Sequence, residues 1–305
     1  VNKIQKMMNR RDFVKTSVAI GSAYWVAPVV AALPAAETIK FQAPVFKISC
    51  AAYSYRKYLT SGEMSLDQFI DRCAEMKIDA VELTSYYFPE TITPEFLMQL
   101  KRKTFLNGLA ISGTAIRNNF CVPPGAERER DIAHVKKWID YAAEFGAPCI
   151  RIFAGSPAEG VSEEQAIQWC ADACQICLEY AATRGVFLAL ENHGGITARA
   201  TILKKICDAV GPHPWFGVNL DTGNFRTDPY GDMRLIAPYV VNVQVKDWVT
   251  APDGETILEA DLPRVLQILR EANYRGYLAF EYEGQEDPLT GVPKWIEKLK
   301  KAARV

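Results

Sequence analysis

Four segments in the second half of the sequence close a short apolar run on a residue able to do chemistry: Leu188-Ala189-Leu190-Glu191-Asn192-His193, Val218-Asn219-Leu220-Asp221-Thr222-Gly223-Asn224, Val241-Asn242-Val243-Gln244-Val245-Lys246-Asp247 and Leu278-Ala279-Phe280-Glu281-Tyr282-Glu283. Side chains alternate along a strand. In the third segment the valines therefore share one face, and Asn242, Gln244 and Lys246 share the other. A polar row in so apolar a strand points into a mouth or crevice. The same alternation turns Glu191 with His193, Asp221 with Asn219, and Glu281 with Ala279 toward it. Three carboxylates in a small volume repel one another and resist ionising unless positive charge stands among them. Lys246 could be that charge as an internal counter-ion, and a bound metal ion is the other source. A single acid at a strand end is usually structural; the argument for a site is that consecutive strands repeat the pattern.

The elements that must hold these residues are legible along the chain. From Phe46 onward, short β-branched runs alternate with longer amphipathic segments, the pattern of a parallel sheet with helical crossovers. Strands are predicted near Phe46–Tyr53, Ala80–Thr84, Gly108–Ala115, Cys149–Ala154, Val186–Glu191, Phe216–Asp221, Val240–Lys246 and Tyr277–Tyr282. Helices are predicted over Leu66–Met76, Pro94–Lys103, Ile132–Phe145, Glu163–Thr183, Ile202–Val210 and Leu262–Ala272, with a short connection at Tyr230–Pro238 and a closing helix at Trp295–Ala303. Eight such units fit a (β/α)8 TIM barrel over residues 41–305, whose chemistry sits on the C-terminal face where strands meet loops. An open doubly wound sheet usually carries a Gly-rich phosphate turn after its first strand, and Ala52-Tyr53-Ser54-Tyr55-Arg56 is not one.

Composition removes other classes. The 305 residues are 49% hydrophobic and 23% charged, and Lys+Arg 35 against Asp+Glu 36 gives a formal charge of -1, so no general positive field attracts nucleic acid. The eight cysteines fall mostly inside predicted strands and helices and read as small buried hydrophobes rather than a disulfide framework. Cys170-x3-Cys174-x2-Cys177 has the spacing of an iron–sulfur site. Ser162 with Gln165 forms a capping box ahead of it, and Ile167, Cys170, Cys174, Cys177 and Ala181 recur at helical spacing, so the thiols form one apolar stripe and do not converge.

With its four strand ends, Glu82-Leu83-Thr84-Ser85-Tyr86-Tyr87-Phe88-Pro89 and Arg151-Ile152-Phe153-Ala154-Gly155, the chain from about Phe46 to its end resembles the xylose-isomerase-like superfamily of sugar-phosphate isomerases and epimerases, ketose 3-epimerases and inosose dehydratase. Endonuclease IV is a more distant relative of that group, but a DNA-repair role would need more metal-binding histidines than the three present and a basic face. The resemblance implies one divalent ion, held by Glu, Asp, His and Glu from strands five to eight. Glu191, Asp221 and Glu281 match three of these, and Gln244 stands where the family more often has the second His of a His-x-His pair, with Asn242 at the first. An amide oxygen there would make an all-oxygen site, favouring Mn or Mg over Co or Zn; the alternative is that Gln244 ligates nothing and the site is degenerate.

The chemistry so implied is proton abstraction next to a metal-bound carbonyl. The resemblance makes Glu191 and Glu281 the base and acid. His193 is a candidate to bind or shuttle a proton, and Lys246 a candidate to polarise the substrate oxygen. Reprotonation gives epimerisation or aldose–ketose isomerisation, whereas loss of a β-substituent gives a dehydratase or a 3-keto-glycoside lyase. A non-catalytic sugar-binding barrel is the reading from another class. Glu82 and Arg151, on alternate strands, are expected to form a structural ion pair, Asn118 and Asn119 are candidates to line the pocket, and His134 and His213 receive no role.

Residues 1–36 read as an address. Asn9-Arg10-Arg11-Asp12-Phe13-Val14-Lys15 precedes a mildly apolar stretch, which resembles a twin-arginine export signal. The expectation is an exported protein, periplasmic or tethered through an uncleaved signal. Its expected partners are the twin-arginine machinery and a small carbohydrate, with self-association left open.

Overall fold

The computed structural model describes residues 46–304, so the segment read as an export signal lies outside the described residues. Eight parallel strands close into a barrel: β1 (Lys47–Ala51), β2 (Ala80–Thr84), β3 (Ala110–Ala115), β4 (Cys149–Ile152), β5 (Phe187–Glu191), β6 (Phe216–Asp221), β7 (Val240–Val245) and β10 (Tyr277–Phe280), with β10 joining β7 to β1. The (β/α)8 expectation is correct, and each strand lies within the run predicted for it. Beyond β7 the chain adds an antiparallel pair that the sequence pattern did not announce, β8 (Trp248–Thr250) with β9 (Ile257–Glu259). Its turn is built on Asp253, whose Oδ1 accepts from the backbone N–H of Glu255 and Thr256 at 2.9 and 2.8 Å.

The crossover helices form for reasons visible in their ends. Ser65 and Ser162 each cap a helix with a reciprocal glutamine, Gln68 and Gln165, satisfying backbone donors that the first turn leaves open. Helix Glu163–Arg184 buries Ile167, Cys170, Cys174, Cys177 and Ala181 against the barrel, as the stripe required. All eight cysteines are buried free thiols. No helix among the described residues is long and apolar enough to cross a membrane.

Two register shifts set the heights of the inward-facing side chains, one between Val81 and Glu82 where β2 meets β3, the other between Val218 and Asn219 where β6 meets β7. An extra residue in one strand re-aims the side chains beyond it. Past the second shift Asn219 pairs with Asn242 and Asp221 with Gln244, which stacks two polar levels inside the C-terminal half of the barrel.

Candidate active site

The lower level is a closed network of amides around one carboxyl. Asn219 Nδ2 donates to Gln244 Oε1 at 2.7 Å, and Asn242 Nδ2 donates to Asn219 Oδ1 at 2.7 Å and to Glu82 Oε2 at 3.2 Å. Gln244 Nε2 donates to Glu82 Oε1 at 2.7 Å and upward to Glu281 Oε2 at 2.9 Å. Burial, reinforced by the nearby Glu281 carboxylate, pushes the Glu82 carboxyl up to about 7.

The upper level is charged. Just beyond β7, Lys246 Nζ lies 2.5 Å from Glu281 Oε1, 2.8 Å from Glu283 Oε1 and 3.3 Å from Asp221 Oδ2, with its side chain only 3% exposed. Burial works against its charge, but Asp221, Glu281 and Glu283 outweigh that and raise the ammonium well above the ordinary lysine value. The surroundings are shaped to receive it. A Cβ on Gly223 would stand 2.7 Å from Lys246 Cγ, so only glycine there leaves room for the lysine methylenes. Thr222 Oγ1 accepts from the Lys246 backbone N–H at 2.9 Å. Asp247 accepts from the Glu283 backbone N–H at 3.0 Å, and that bond holds Glu283 beside the ammonium.

Asp221 is clamped at its backbone by Asn192, whose side chain accepts from the Asp221 N–H and donates to its carbonyl at 2.7 and 2.8 Å. Its Oδ1 accepts from the Gly223 N–H at 2.8 Å, and burial raises its carboxyl to about 7.

The other acid, Glu191, has a cation of its own. Arg151 NH1 stands 2.9 Å from Glu191 Oε2, and Asn224 Nδ2 donates to Oε1 at 3.1 Å. Burial raises the Glu191 carboxyl well above its ordinary value even with the guanidinium beside it. The guanidinium is held in turn by Tyr86, whose hydroxyl accepts from NH2 at 3.0 Å, and by the face of Phe153 at 4.1 Å. The expected Glu82–Arg151 ion pair is therefore corrected: β4 lies next to β5, so Arg151 reaches Glu191, while Glu82 is satisfied by the amides of β7. Asn118 and Asn119 do not line the cavity; Asn118 exchanges hydrogen bonds with the Phe153 backbone, and Asn119 donates to the Ser156 carbonyl.

Glu191, Asp221, Gln244, Lys246, Glu281 and His193 all border one cavity of about 480 Å³ at the C-terminal mouth of the barrel. The His193 ring rests on Phe153 at 4.3 Å, and burial with Arg151 and Lys246 nearby lowers its pKa, so it is neutral at neutral pH. Sequence reading gave no role to Tyr53, Arg117, Asn224, Arg226, Trp248 and Glu283, which complete the wall. Asn224 and Glu283 had a readable signal, since each lies two or three residues past an acid already singled out. Two wider grooves of about 610 and 560 Å³ lie elsewhere, one beside His213 and Tyr239, the other beside Arg128 and Asp172. The second holds the buried Arg128 beside Asp172, but neither gathers carboxylates from several strand ends around a buried lysine, as the smaller cavity does.

Residues 70–302 match the xylose isomerase-like TIM barrel family. The chain belongs to that family. Among solved structures it is similar to a xylose isomerase domain protein from Planctomyces limnophilus, at 22% identity over 87% of this chain and 100% of that one, TM-score 0.65. The D-psicose 3-epimerase of Clostridium cellulolyticum H10, solved with D-tagatose, is 14% identical over 85% of this chain and 97% of its own, TM-score 0.66. The probable 3-DHS dehydratase AsbF of Bacillus anthracis, involved in petrobactin synthesis, is 17% identical over 85% of this chain and 99% of its own, TM-score 0.65. At these identities the likeness is one of fold. None of the curated proteins compared with the chain matches it.

The family resemblance implies a divalent ion on Glu191, Asp221, Gln244 and Glu281, and the arrangement of these four does not fit one. Glu191 Oε2 and Asp221 Oδ2 are buried without hydrogen-bond partners, as metal ligands can be, yet each already faces a fixed cation, Arg151 or Lys246. An ion bound to Asp221 and Glu281 at about 2.0–2.6 Å would compete for the place of the Lys246 ammonium. Gln244 Oε1 accepts from Asn219, and its amide nitrogen, not its oxygen, points at Glu281. Among the described residues no three His, Cys, Asp or Glu side chains are grouped to hold a metal.

Proposed function

We propose that the protein is a sugar isomerase or epimerase that moves a proton at the carbon next to a carbonyl of a small keto-sugar. The observation that carries this is the pairing of each of two carboxylates with its own buried cation at one cavity mouth: Glu191 with Arg151, and Glu281 with Lys246. Glu191 removes the proton from carbon. The electron pair of that C–H bond moves into the carbonyl, and the oxygen gains the negative charge. Lys246 and Arg151, both buried, stabilise that oxyanion from fixed positions, where a preorganised charge needs no reorganisation as the reaction proceeds. For epimerisation the proton returned on the opposite face passes from the Lys246 ammonium through Glu281 Oε1, 2.5 Å away, and the proton taken by Glu191 is released to water as Lys246 is reprotonated. Burial makes Glu191 a stronger base than an ordinary carboxylate, which suits it to take a proton from carbon. The sugar epimerases of the same fold support the reaction class.

Elimination is the second reading, favoured by His193. The His193 imidazole, at the cavity rim, can donate a hydrogen bond to a departing β-oxygen that takes its proton from water, which turns the same enolate into a dehydratase or lyase product. Incubating the full chain with a panel of unphosphorylated keto-sugars in heavy water separates the outcomes. Deuterium at carbon with the substrate skeleton intact marks isomerisation or epimerisation, and loss of water or an alcohol marks elimination. No exchange on any keto-sugar would sink both. Residues 1–36 we read as a twin-arginine signal, which fusion of residues 1–40 to a reporter tests: Arg10→Lys with Arg11→Lys should leave the reporter in the cytoplasm.

A further inference from the structure

We infer that this chain has replaced the expected metal ion by its own side chain, with the Lys246 ammonium seated among Asp221, Glu281 and Glu283 as the site's fixed electrophile and a barrier to divalent ions. The inference deepens the proposed proton-transfer reading and rests on it only for the electrophilic role; exclusion of metal stands on geometry alone. Four observations carry it. The ammonium contacts Glu281, Glu283 and Asp221 at 2.5, 2.8 and 3.3 Å, so it occupies the point where three carboxylate oxygens meet. The backbone is cut to its shape, because any side chain at position 223 would collide with its methylenes. The residue that would complete a ligand set, Gln244, turns a donor toward Glu281 and spends its oxygen on Asn219. Glu191, the remaining acid, is committed to Arg151. Two fixed cations thus stand beside the acids that would otherwise share one ion of charge two.

A covalently held ammonium differs from a metal in what it can do to a substrate. It donates hydrogen bonds to a developing oxyanion without binding two vicinal oxygens in a chelate. Recognition of the sugar then falls on hydrogen-bonding groups of the wall. Tyr53, Asn224, Arg226 and Trp248, which border the cavity, are such groups.

The test measures metal directly. The full chain, purified without chelator and dialysed against Mn, Mg, Co or Zn, is analysed by mass spectrometry for bound metal, and Mn is titrated calorimetrically into the native protein and Lys246→Met. The native protein is expected to retain well under one equivalent of any ion. Removing the ammonium leaves the carboxylates uncompensated, and Lys246→Met is expected to bind Mn at least about tenfold more tightly. If Lys246→Met does not fold, Lys246→Gln takes its place, with circular dichroism confirming the barrel. One tightly held equivalent in the native protein would overturn the inference, as would equal, weak Mn binding in native and variant. Proton exchange on a keto-sugar that persists in chelator supports the electrophilic role, and exchange that appears only on adding a divalent ion overturns it. The metal measurements decide even if no sugar tried is a substrate, so failure of the proposed reaction and failure of this inference leave different traces.

Discussion

Two levels of the barrel interior, which share the strands β6 and β7, do opposite things. In the lower level Asn219, Asn242, Gln244 and Glu82 satisfy one another in a network whose side chains do not reach the mouth except through Gln244. In the upper level Glu191, Asp221, Lys246, Glu281 and Glu283 form ion pairs beside open space, and two carboxylate oxygens remain without hydrogen-bond donors. β7 and the residue just past it run through both, changing from amide to amide to ammonium from Asn242 through Gln244 to Lys246. A satisfied buried network fixes geometry, whereas a partly unsatisfied one stores reactivity. The lower level is the platform and the upper level the working surface.

If that division holds, the largest effect comes from the upper level alone. Glu191→Gln should lower the rate of deuterium exchange by roughly a thousandfold, the scale of a lost general base, with the far-UV spectrum and fold unchanged. Unfolding of this variant instead of inactivation would mean that the two levels are one structural unit.

Next is Gln244→Leu, which strands Glu82, Glu281 and Asn219 without their partner. A loss of roughly 3–5 kcal/mol in denaturant unfolding is expected. Its metal affinity should stay as low as that of the native chain. Gln244→His, smaller in its disruption, tests whether a ring nitrogen in that place attracts zinc while Lys246 remains.

The platform also has a pH signature. The folded Glu82 carboxyl is held up to about 7 against an ordinary 4.5. Between these values the folded state binds a proton that the unfolded chain has released, so stability falls as pH rises through that window and levels off above it. Over the full interval the loss is on the order of 3 kcal/mol. Glu82→Gln removes that contribution and should reduce the slope between pH 5 and 7, leaving the share that Asp221 and Glu191 supply. An unchanged slope would assign it to Asp221 or Glu191 instead.

The smallest effect is expected at the rim. His193→Asn should reduce exchange by about tenfold or less, as it leaves both carboxylate–cation pairs in place, but should cut any elimination product more sharply. Equal loss of both would make His193 a binding residue.

Much of this was legible in the residues themselves. Alternation in Val241–Lys246 identified the inward row before any fold was known, and helical spacing put Cys170, Cys174 and Cys177 on a buried stripe. The Glu82–Arg151 pair was misassigned because alternation gives the direction of a side chain and not its neighbour two strands away. The β8–β9 hairpin was missed because three-residue strands joined by Pro252-Asp253-Gly254 carry too short a pattern to separate from a loop. The sequence left two sources of positive charge open for these acids, a bound ion and Lys246, because residue types at strand ends do not show which of the two stands among them.

The sequence by itself determined the barrel, the strands that end in acids and the face each acid presents, since these are consequences of local periodicity and of the need to bury apolar faces. Which cation meets which acid was decided only in three dimensions. Closure places β10 between β7 and β1, bringing Glu281 and Glu283 to Lys246, and the register shifts after Val81 and Val218 set the height at which Glu82 meets the amides and Asp221 meets the ammonium. Charge pairing falls off over a few ångströms, and distances that short belong to the packed barrel rather than to any strand alone.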